Sequence, residues 1–355
     1  MLPDNLKIVP RRQIDDAQWD TYVDKHAEAT PYHRSGWLNA VVSAYEHDDA
    51  SIVVVEPSAG TIMGVFPCIK MNMPLGKSKY CALPYCDVGY GLADNAQLLG
   101  AMETYLLQLA KVTKRSWEIR KSAHAYEHDT ASLEGKKVRM LLALAEDSES
   151  LLASFKSKLR SQIRKAEKNG LRVETGRSAE LLEHFYSVYS INMRDLGSPV
   201  HAKRWFERIV EYYGTSAVIS VTYKDQLPIG AGLILKSGET ACIPWASTNQ
   251  RYNRLAPNML LYWSLLAHCA DNGIRQFDFG RSTYNEGTYR FKKQWGASPV
   301  ALNWQHTNED FTLQPVTSAV AGNSTTRELV ENIWRKLPLA FTIKAGATIR
   351  PYISL

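Results

Sequence analysis

Two kinds of segment alternate along the chain, and this alternation limits the possible folds more than any other feature. Apolar residues recur every three or four positions in segments such as Ser35–Glu46 and Ala179–Leu196, which is the spacing of an amphipathic helix. Short β-branched segments such as Ser51–Glu56 and Ala217–Tyr223 lie between such helices and are typical of buried strands. The pattern predicts a mixed α/β fold.

Length and internal order predict two domains. The chain has 355 residues, whereas a single hydrophobic core stops growing at roughly 250–300 residues. Each half has the same order of helices, a strand meander, a helix and a strand, and a polar stretch at residues 145–150 separates the halves. We therefore expect an N-terminal domain over residues 1–147, a C-terminal domain over residues 148–310, and a linker with a basic tail over residues 311–355.

The composition excludes several classes of protein. Hydrophobic residues make up 45% and charged residues 22% of the chain, which excludes a disordered, collagen-like or coiled-coil protein. The formal net charge of +6 fits a protein that binds phosphates on one patch rather than one that coats nucleic acid. The five cysteines include no C-x-x-C pair, so we expect reduced thiols, no disulfides and no metal site.

The sequence also gives expectations about location. The N-terminal residues show no signal-peptide pattern, and no segment approaches the ~18 apolar residues that span a membrane, so we expect a cytoplasmic protein. Residues 327–355 combine helix-spaced apolar residues with five basic and two acidic residues, a net charge of +3. Such a tail is typical of peripheral contact with the inner face of a membrane. Packing of the tail against the first domain is the alternative.

The segment Leu151–Asn169 predicts a helix with one strongly cationic side. Its apolar stripe consists of Leu152, Phe155, Leu159, Ile163 and Ala166. Its basic ridge consists of Lys156, Arg160, Arg164 and Lys168, widened by Lys158, Lys165 and Arg172. Like charges four residues apart repel each other by a few tenths of a kcal/mol, about 0.2–0.5 per pair, and Glu167 is the one acidic residue among them. A solvated helix face and a phosphate-rich partner, either nucleic acid or a lipid-linked pyrophosphate, are the two interpretations.

The segment Trp245–Leu266 predicts a strand, a polar loop and a helix that begins after Pro257, an arrangement that can bind anions or serve as an ordinary connection. It resembles the place where GNAT acyltransferases carry Gln/Arg-x-x-Gly-x-Gly/Ala and bind the pyrophosphate of coenzyme A. The matching register is residues 251–256, with Arg254 at the central glycine. A side chain there would obstruct the pyrophosphate, which disfavours acetyl-CoA as the donor.

The segment Phe277–Trp295 is the most specific of the chain. A strand ends in Asp278-Phe-Gly-Arg281, a polar loop follows, and aromatic residues then alternate with basic ones. The Asp-Phe-Gly triplet is not the kinase motif, because no glycine-rich loop or H-R-D sequence precedes it. The segment predicts either a core strand followed by a basic surface segment or an oxyanion or phosphate site built from Arg281 and a lysine.

Two turn-rich segments, Thr30–Leu38 and Leu83–Tyr90, place further polar and aromatic side chains beside loops. Asp87 is a candidate contact for a substrate amine, whereas His33 is expected to be structural. No Ser-His-Asp, Cys-His or metal-spaced cluster is apparent, so covalent and metal-assisted mechanisms are not expected.

These segments together resemble a known family. Residues 157–170 (SKLRSQIRKAEKNG) and 289–295 (YRFKKQW) resemble two signatures of the Fem peptidyltransferases, which move an amino acid from aminoacyl-tRNA onto an amine of a peptidoglycan precursor. Trp245-Ala-Ser and Phe-Asp-Phe-Gly-Arg-Ser are similar to the FemAB-like branch found with exosortase (PEP-CTERM) and exopolysaccharide loci. The resemblance covers residues 30–300. It implies two tandem GNAT-like domains with mixed, mostly antiparallel sheets, without the helical tRNA arm of one family member.

The resemblance also implies roles for particular residues. Lys292 matches the lysine that stabilises charge on the reacting ester, and Lys292 and Arg281 are the predicted catalytic residues. The predicted substrate-binding residues are Trp37, Asp87, Arg164, Arg254, Tyr289 and Phe291. Asp87 falls near an acidic position that the family suggests as a base. The residues predicted to bind tRNA or another anion are Lys156, Arg160, Lys165 and Lys168.

The resulting prediction is an acyltransferase without a metal or resident cofactor. An amine would attack an activated ester, with aminoacyl-tRNA as the expected donor, and form an amide on a cell-envelope precursor or polysaccharide. An acyl-CoA-dependent N-acyltransferase is one alternative. A non-catalytic GNAT-like module that binds an anionic glycan or lipid carrier is another, and a plain nucleic-acid binder is the third.

Overall fold

The computed structural model describes residues 2–123, 133–316 and 324–355, and of residues 324–327 it describes the backbone only. The predicted mixed α/β class is confirmed. The strands are β1 (Lys7–Pro10), β2 (Asp48–Asp49), β3 (Ile52–Glu56), β4 (Thr61–Phe66), β5 (Ile69–Met71), β6 (Lys79–Cys81), β7 (Leu92–Ala93), β8 (Trp117–Ser122), β9 (Lys137–Ala143), β10 (Leu171–Gly176), β11 (Ala217–Lys224), β12 (Leu227–Ser237), β13 (Thr240–Thr248), β14 (Gln276–Thr283), β15 (Ser298–Thr307) and β16 (Leu313–Pro315).

Helices connect these strands in both halves of the chain. They are α1 (Asp16–Lys25), α2 (Ser35–Tyr45), α3 (Ala96–Thr113), α4 (Ser148–Ser154), α5 (Ser157–Lys168), α6 (Ala179–Leu196), α7 (Lys203–Tyr213), α8 (Pro257–Asp271), α9 (Gly287–Gln294), α10 (Ser324–Lys336) and α11 (Leu339–Ile349).

The chain divides into two compact units whose boundaries differ from the predicted domains. The first is drawn from residues 1–126, 300–320 and 352–355, and the second from residues 127–299 and 321–351. β9 belongs to the second unit because it pairs with β14, and β15 contributes to the first because it pairs with β8. The polar stretch at residues 145–150 therefore marks the connection from β9 to α4 rather than a domain junction.

The first unit contains two sheets. One has the antiparallel order β1-β3-β4-β7, and the other has the order β15-β8-β6-β5-β2, with β16 paired to β15. β6 and β8 run parallel. The predicted strand over residues 61–70 is two strands, because Pro67 and Cys68 separate β4 from β5 and the two belong to different sheets. The largest fully buried side chains of the first unit include Trp19, Trp37, Phe66 and Trp117.

The second unit contains one sheet with the order β10-β11-β12-β13-β14-β9. All neighbours are antiparallel except β13 and β14, which run parallel. In the described residues, pairing of β13 with β14 is confined to Thr240–Cys242 with Gln276–Asp278, although both strands continue further. The two strands therefore separate towards their carboxyl ends. α6 and α8 pack on this sheet, and α4 and α5 pack on α8.

The predicted basic helix is two helices. α4 ends at Ser154, and α5 begins at Ser157 with Lys156 at its N-cap in extended conformation. Phe155 lies at the break, where its ring makes edge contacts with Trp263 and Trp295 at 6.1 and 5.6 Å. The predicted buried stripe is otherwise confirmed at Phe155, Leu159, Ile163 and Ala166.

The C-terminal helices pack on the second unit, whereas residues 352–355 join the first. The alternative of packing on the first domain therefore holds for the last residues of the tail, where Ser354 accepts from Lys79 Nζ at 3.0 Å. α10 and α11 both contact α6. The close approach of α11 depends on Gly346, because a Cβ atom there would lie 2.6 Å from the backbone nitrogen of Val200.

We predict opposite effects for one substitution at two helical glycines. Gly346→Ala should lower the free energy of unfolding by about 1–3 kcal/mol, because the added methyl group overpacks the contact with Val200. Gly100→Ala in α3 should raise it by up to about 1 kcal/mol, because a Cβ there meets nothing within 4 Å and alanine favours the helix. Urea unfolding of both variants is the measurement, and equal stability changes would contradict the described packing of α11.

Candidate functional site

The connection from β13 to α8 lies at the point where β13 and β14 separate. It forms a 3₁₀ helix over Gln250–Leu255, and Ala256 adopts a left-handed conformation with φ of 62° before α8 begins. Backbone N–H groups of the connection donate to acceptors within it, and these are the N–H groups of Arg251, Tyr252 and Ala256. Arg254 is exposed on this connection. A pyrophosphate cradle needs free amides and close backbone approach, so this local bonding agrees with the expectation that coenzyme A is disfavoured.

The C-terminal end of the cationic helix α5 lies beside this connection. The side-chain amide of Asn169, which caps α5, donates to the carbonyl of Leu255 at 3.1 Å. We call the following exposed residues the cationic surface: Lys156, Arg164, Lys165, Lys168, Arg251 and Arg254. Four members of the cationic surface belong to α5 or to its N-cap, Lys156. Within the described residues, none of these four forms an ion pair with an acid. Arg160 is half-buried and donates to the carbonyl of Ala153 at 3.0 Å, so the predicted anion contact at Arg160 is partly occupied.

A buried ion pair holds the turn of β14. The carboxylate of Asp278 accepts from Arg139 Nε at 2.6 Å and from the backbone N–H of Gly280 at 2.8 Å. Both side chains are at most 10% exposed. Gly280 has a φ of 72°, which glycine adopts without a steric penalty. The pairing of β14 with β9 shifts register between Asp278 and Arg281, so the ion pair stabilises a bulge.

Lys292 approaches the same turn from α9. Its ammonium donates to the carbonyls of Gly280 and Arg281 at 3.0 and 2.7 Å, and the residue is 7% exposed. A charge at such a buried position acts more strongly on a nearby reacting group than it would in water. The structure therefore brings the two predicted catalytic residues, Lys292 and Arg281, together at the bulge.

Aromatic residues fix α9 against α8 and β14. The Phe291 ring lies 5.0 Å from that of Tyr262, and Tyr262 stacks on Phe279 at 5.6 Å. Tyr289 is 2% exposed and its ring lies 4.7 Å from that of Tyr284. Burial, together with a hydrogen bond to Tyr284, raises the pKa of Tyr289 above its ordinary value. Tyr289 is thus part of the packing of α9, whereas Phe291 is half-buried and keeps exposed surface.

α9 and the C-terminal end of α5 both lie next to the start of α8. Gln294 Nε2 of α9 contacts Met259 Sδ at 3.9 Å, and Leu255, whose carbonyl accepts from Asn169 at the end of α5, lies two residues before Pro257. The elements that carry most second-unit members of the predicted site therefore meet at this helix end. These members are Lys292, Arg281, Tyr289, Phe291, Arg254, Arg164, Lys156, Lys165 and Lys168.

Trp37 and Asp87 lie in the first unit, where the side chain of Trp37 on α2 contacts the loop that carries Asp87. The Trp37 indole N–H donates to the Pro84 carbonyl at 3.0 Å, and the Trp304 indole N–H donates to the Asp87 carbonyl at 3.0 Å. Trp37 is fully buried, so its side chain presents no surface to a substrate in this structure. The tryptophan instead supports the loop that carries Asp87.

His33 is structural, as expected from the sequence. It is fully buried, its Nδ1 bonds Thr30 at 2.9 Å, and its Nε2 bonds the Tyr90 carbonyl at 3.1 Å. All five cysteines are buried, and none of them forms a disulfide. Burial raises the pKa of Cys81 and of Cys269 to about 12, which disfavours the thiolate form that a nucleophile needs.

Sequence reasoning missed the role of Arg139. The signal was a charged residue in the middle of the apolar strand Lys137–Ala143, where burial requires a partner.

Among the residues that the structure describes, no group of three or more His, Cys, Asp or Glu residues could hold a metal ion. In the same part of the chain, no helix is both long and apolar enough to cross a membrane.

Comparison with known proteins identifies the second unit. Residues 153–293 match the model of the acetyltransferase (GNAT) domain family. Residues 153–293 form a GNAT domain. A search of curated protein sequences found no match.

Two solved structures share the overall fold. The crystal structure of FemX is 14% identical and covers 83% of this chain and 95% of its own, with a TM-score of 0.63. The C-terminal DUF2156 domain of a protein described as a lysylphosphatidylglycerol synthetase of Agrobacterium fabrum is 12% identical. It covers 81% of this chain and 90% of its own, with a TM-score of 0.53. The fold of the chain is therefore that of the FemX structure, in agreement with the resemblance read from the sequence.

We predict that the buried ion pair contributes strongly to stability. Arg139→Leu should lower the free energy of unfolding by about 3–5 kcal/mol, because it leaves the Asp278 carboxylate buried without its cation. The matched control is Arg208→Leu, which removes an exposed pair with Glu211 and should change stability far less, because solvent screens that pair. Denaturant titration measures both, and equal losses would show that the Asp278 pair does not hold the turn.

Proposed function

We propose that the second unit moves an aminoacyl group from aminoacyl-tRNA to an amine. The amine nitrogen attacks the ester carbonyl, a C–N bond forms, and the C–O bond to the terminal ribose of the tRNA breaks. The proton lost by the amine passes to the leaving ribose oxygen, so the step balances without a further reactant. Holding the two substrates together would supply much of the acceleration.

The cationic surface is the observation that carries this proposal. Exposed lysines and arginines that have no acidic partner in the described chain are carried by α5 and the β13–α8 connection, and the end of α5 and α9 both contact the start of α8. A tRNA backbone would neutralise several such charges at once and release bound counterions. A single acyl group on a small carrier would leave most of them without a role.

Lys292 is proposed to stabilise the negative charge that develops on the ester oxygen. Its ammonium is already fixed by two carbonyl bonds at the turn of β14, so it needs no reorganisation when the reaction occurs. Arg281 lies on the same turn and is proposed to hold a phosphate of the donor, as is Arg254 at the β13–α8 connection. Phe291 is proposed to contact the acceptor.

The proposed acceptor is an amine on a cell-envelope precursor or polysaccharide. The support is the resemblance to the Fem peptidyltransferases, and the shared fold with FemX agrees with it. The name of the second structural neighbour describes an aminoacylated lipid, which is the same pairing of an aminoacyl group with an envelope molecule. Asp87 stays a predicted acceptor contact on its loop in the first unit.

An acyl-CoA donor is the second candidate function, favoured by the GNAT domain match over residues 153–293. The bonded amides of the β13–α8 connection and the side chain of Arg254 oppose it. The non-catalytic alternative would use the same cationic surface to bind an anionic glycan or lipid carrier.

We predict that charge reversal on α5 weakens tRNA binding in a salt-dependent way. Arg164→Glu/Lys168→Glu should lower affinity for tRNA at least tenfold and reduce the slope of log affinity against log salt by about 2, since each lost phosphate contact removes about 1. Filter binding over a salt series measures both quantities.

The control for that measurement reverses exposed charges elsewhere. Lys111→Glu/Lys114→Glu at the end of α3 changes the net charge by the same amount and should leave the slope unchanged. If both double variants lose affinity equally, net charge and not the cationic surface governs binding.

We also predict that coenzyme A binds poorly. Calorimetric titration of the wild-type chain with acetyl-CoA should show no binding at micromolar ligand, because three amides of the connection already donate within it and Arg254 takes the place of the central glycine. Saturable micromolar binding that Arg254→Gly strengthens would favour the acyl-CoA donor instead.

A further inference from the structure

Helix α11 buries two small residues and exposes two of its large apolar residues. Thr342 and Gly346, four positions apart, are buried, and Gly346 meets Val200. Phe341 and Ile349 are 54% and 43% exposed. A helix on the surface of a protein in water normally shows the reverse arrangement.

Helix α10 shows the same reversal. Polar residues take part in its contact with the end of α6, since Glu331 lies against Gly197 and Arg335 donates to the Leu196 carbonyl at 3.4 Å. Large apolar residues of α10 point away from this contact and are more than half exposed. They are Leu329, Val330 and Ile333.

Exposed apolar residues are concentrated in these two helices. In the described chain thirteen large hydrophobic residues are exposed, and five of them lie in α10 and α11. We call these five the apolar tail residues: Leu329, Val330, Ile333, Phe341 and Ile349. Single exposed apolar residues are ordinary on a protein surface, whereas a patch of them marks a site that a membrane or another protein covers.

Exposed cations accompany the apolar tail residues. Lys336 and Lys344 are exposed, and residues 339–355 contain no acidic residue. We propose that α10 and α11 bind the surface of a membrane that contains anionic lipids. The apolar tail residues would enter the acyl boundary while Lys336 and Lys344 meet lipid phosphates.

Two observations favour a membrane surface over other occupants. A symmetric contact with a second copy would set the same cations against each other, whereas anionic lipids neutralise them. α11 has 11 residues, which at ~1.5 Å per residue is too short for the ~30 Å hydrocarbon core. The helices would therefore lie in the interface and not cross it.

The test is co-sedimentation of the full chain with lipid vesicles. We expect binding to vesicles of phosphatidylcholine mixed with phosphatidylglycerol and at least tenfold weaker binding to phosphatidylcholine alone. Ile333→Ser/Phe341→Ser should reduce binding to the anionic vesicles at least tenfold. The matched control, Leu75→Ser/Val112→Ser, removes two residues that are 89% and 78% exposed in the first unit and should bind as the wild type does.

A second variant keeps the test valid if the serine variant fails to fold. Lys336→Glu/Lys344→Glu changes exposed residues only and should abolish the preference for anionic vesicles. Absence of binding to either vesicle, or equal binding of the wild type and both tail variants, would overturn the proposal. If the wild type does not bind vesicles but self-associates, and the tail substitutions remove that self-association, the surface binds a second copy of the chain instead. No donor or acceptor takes part in this assay, so its outcome is independent of the proposed transfer reaction.

Discussion

Buried charges on both sides of one turn of β14 determine where the candidate site can form. Asp278 accepts from Arg139 and from the Gly280 N–H, and Lys292 donates to the carbonyls of Gly280 and Arg281. Removing a charge from water costs several kcal/mol unless partners compensate for it. Arg139 and Asp278 can be buried because they pair, and the bulge that they stabilise presents the two carbonyls that accept from Lys292, so the position of the ammonium depends on the bulge.

The fixed turn also explains why the opening between β13 and β14 suits charge-based catalysis. The strands separate after Cys242 and Asp278, directly before the bulge that holds Lys292. The connection that leaves β13 bonds its own amides and exposes arginine, so anion binding at this end depends on side chains rather than on a backbone cradle. Side-chain cations suit a large, flexible polyanion better than they suit a small carrier that needs close backbone approach.

Local signals in the sequence predicted individual elements well, whereas long-range pairing escaped prediction. The bounds of α6 agree with the prediction because Ser178 caps its first turn and Gly197, with φ of 77°, ends it. The break between α4 and α5 depends on rings of Trp263 and Trp295 that are distant in sequence. The domain boundary was displaced because no local feature reveals that β9 pairs with β14.

For the candidate site, too, local motifs predicted some residues, whereas contacts between distant residues were missed. Lys292 and Arg281 were found through motif resemblance, which records residue types at short spacing. Their support from Arg139 was not found, because that residue lies 139 positions from Asp278. The burial of Trp37 could not be predicted either. An aromatic residue beside a loop gives the same sequence pattern whether it contacts a substrate or supports the loop.

The most direct test of the account is the rate at which the protein transfers a labelled amino acid from charged tRNA to an extract of envelope precursors. The wild type should speed loss of the label from tRNA into an amide product. Lys292→Ala should reduce the rate by roughly 10²–10³-fold, the usual cost of removing one preorganised charge-stabilising donor. Lys293→Ala, which removes the neighbouring exposed lysine, should retain the wild-type rate. Transfer at the wild-type rate by Lys292→Ala, or no transfer by the wild type above the protein-free control, would contradict the account.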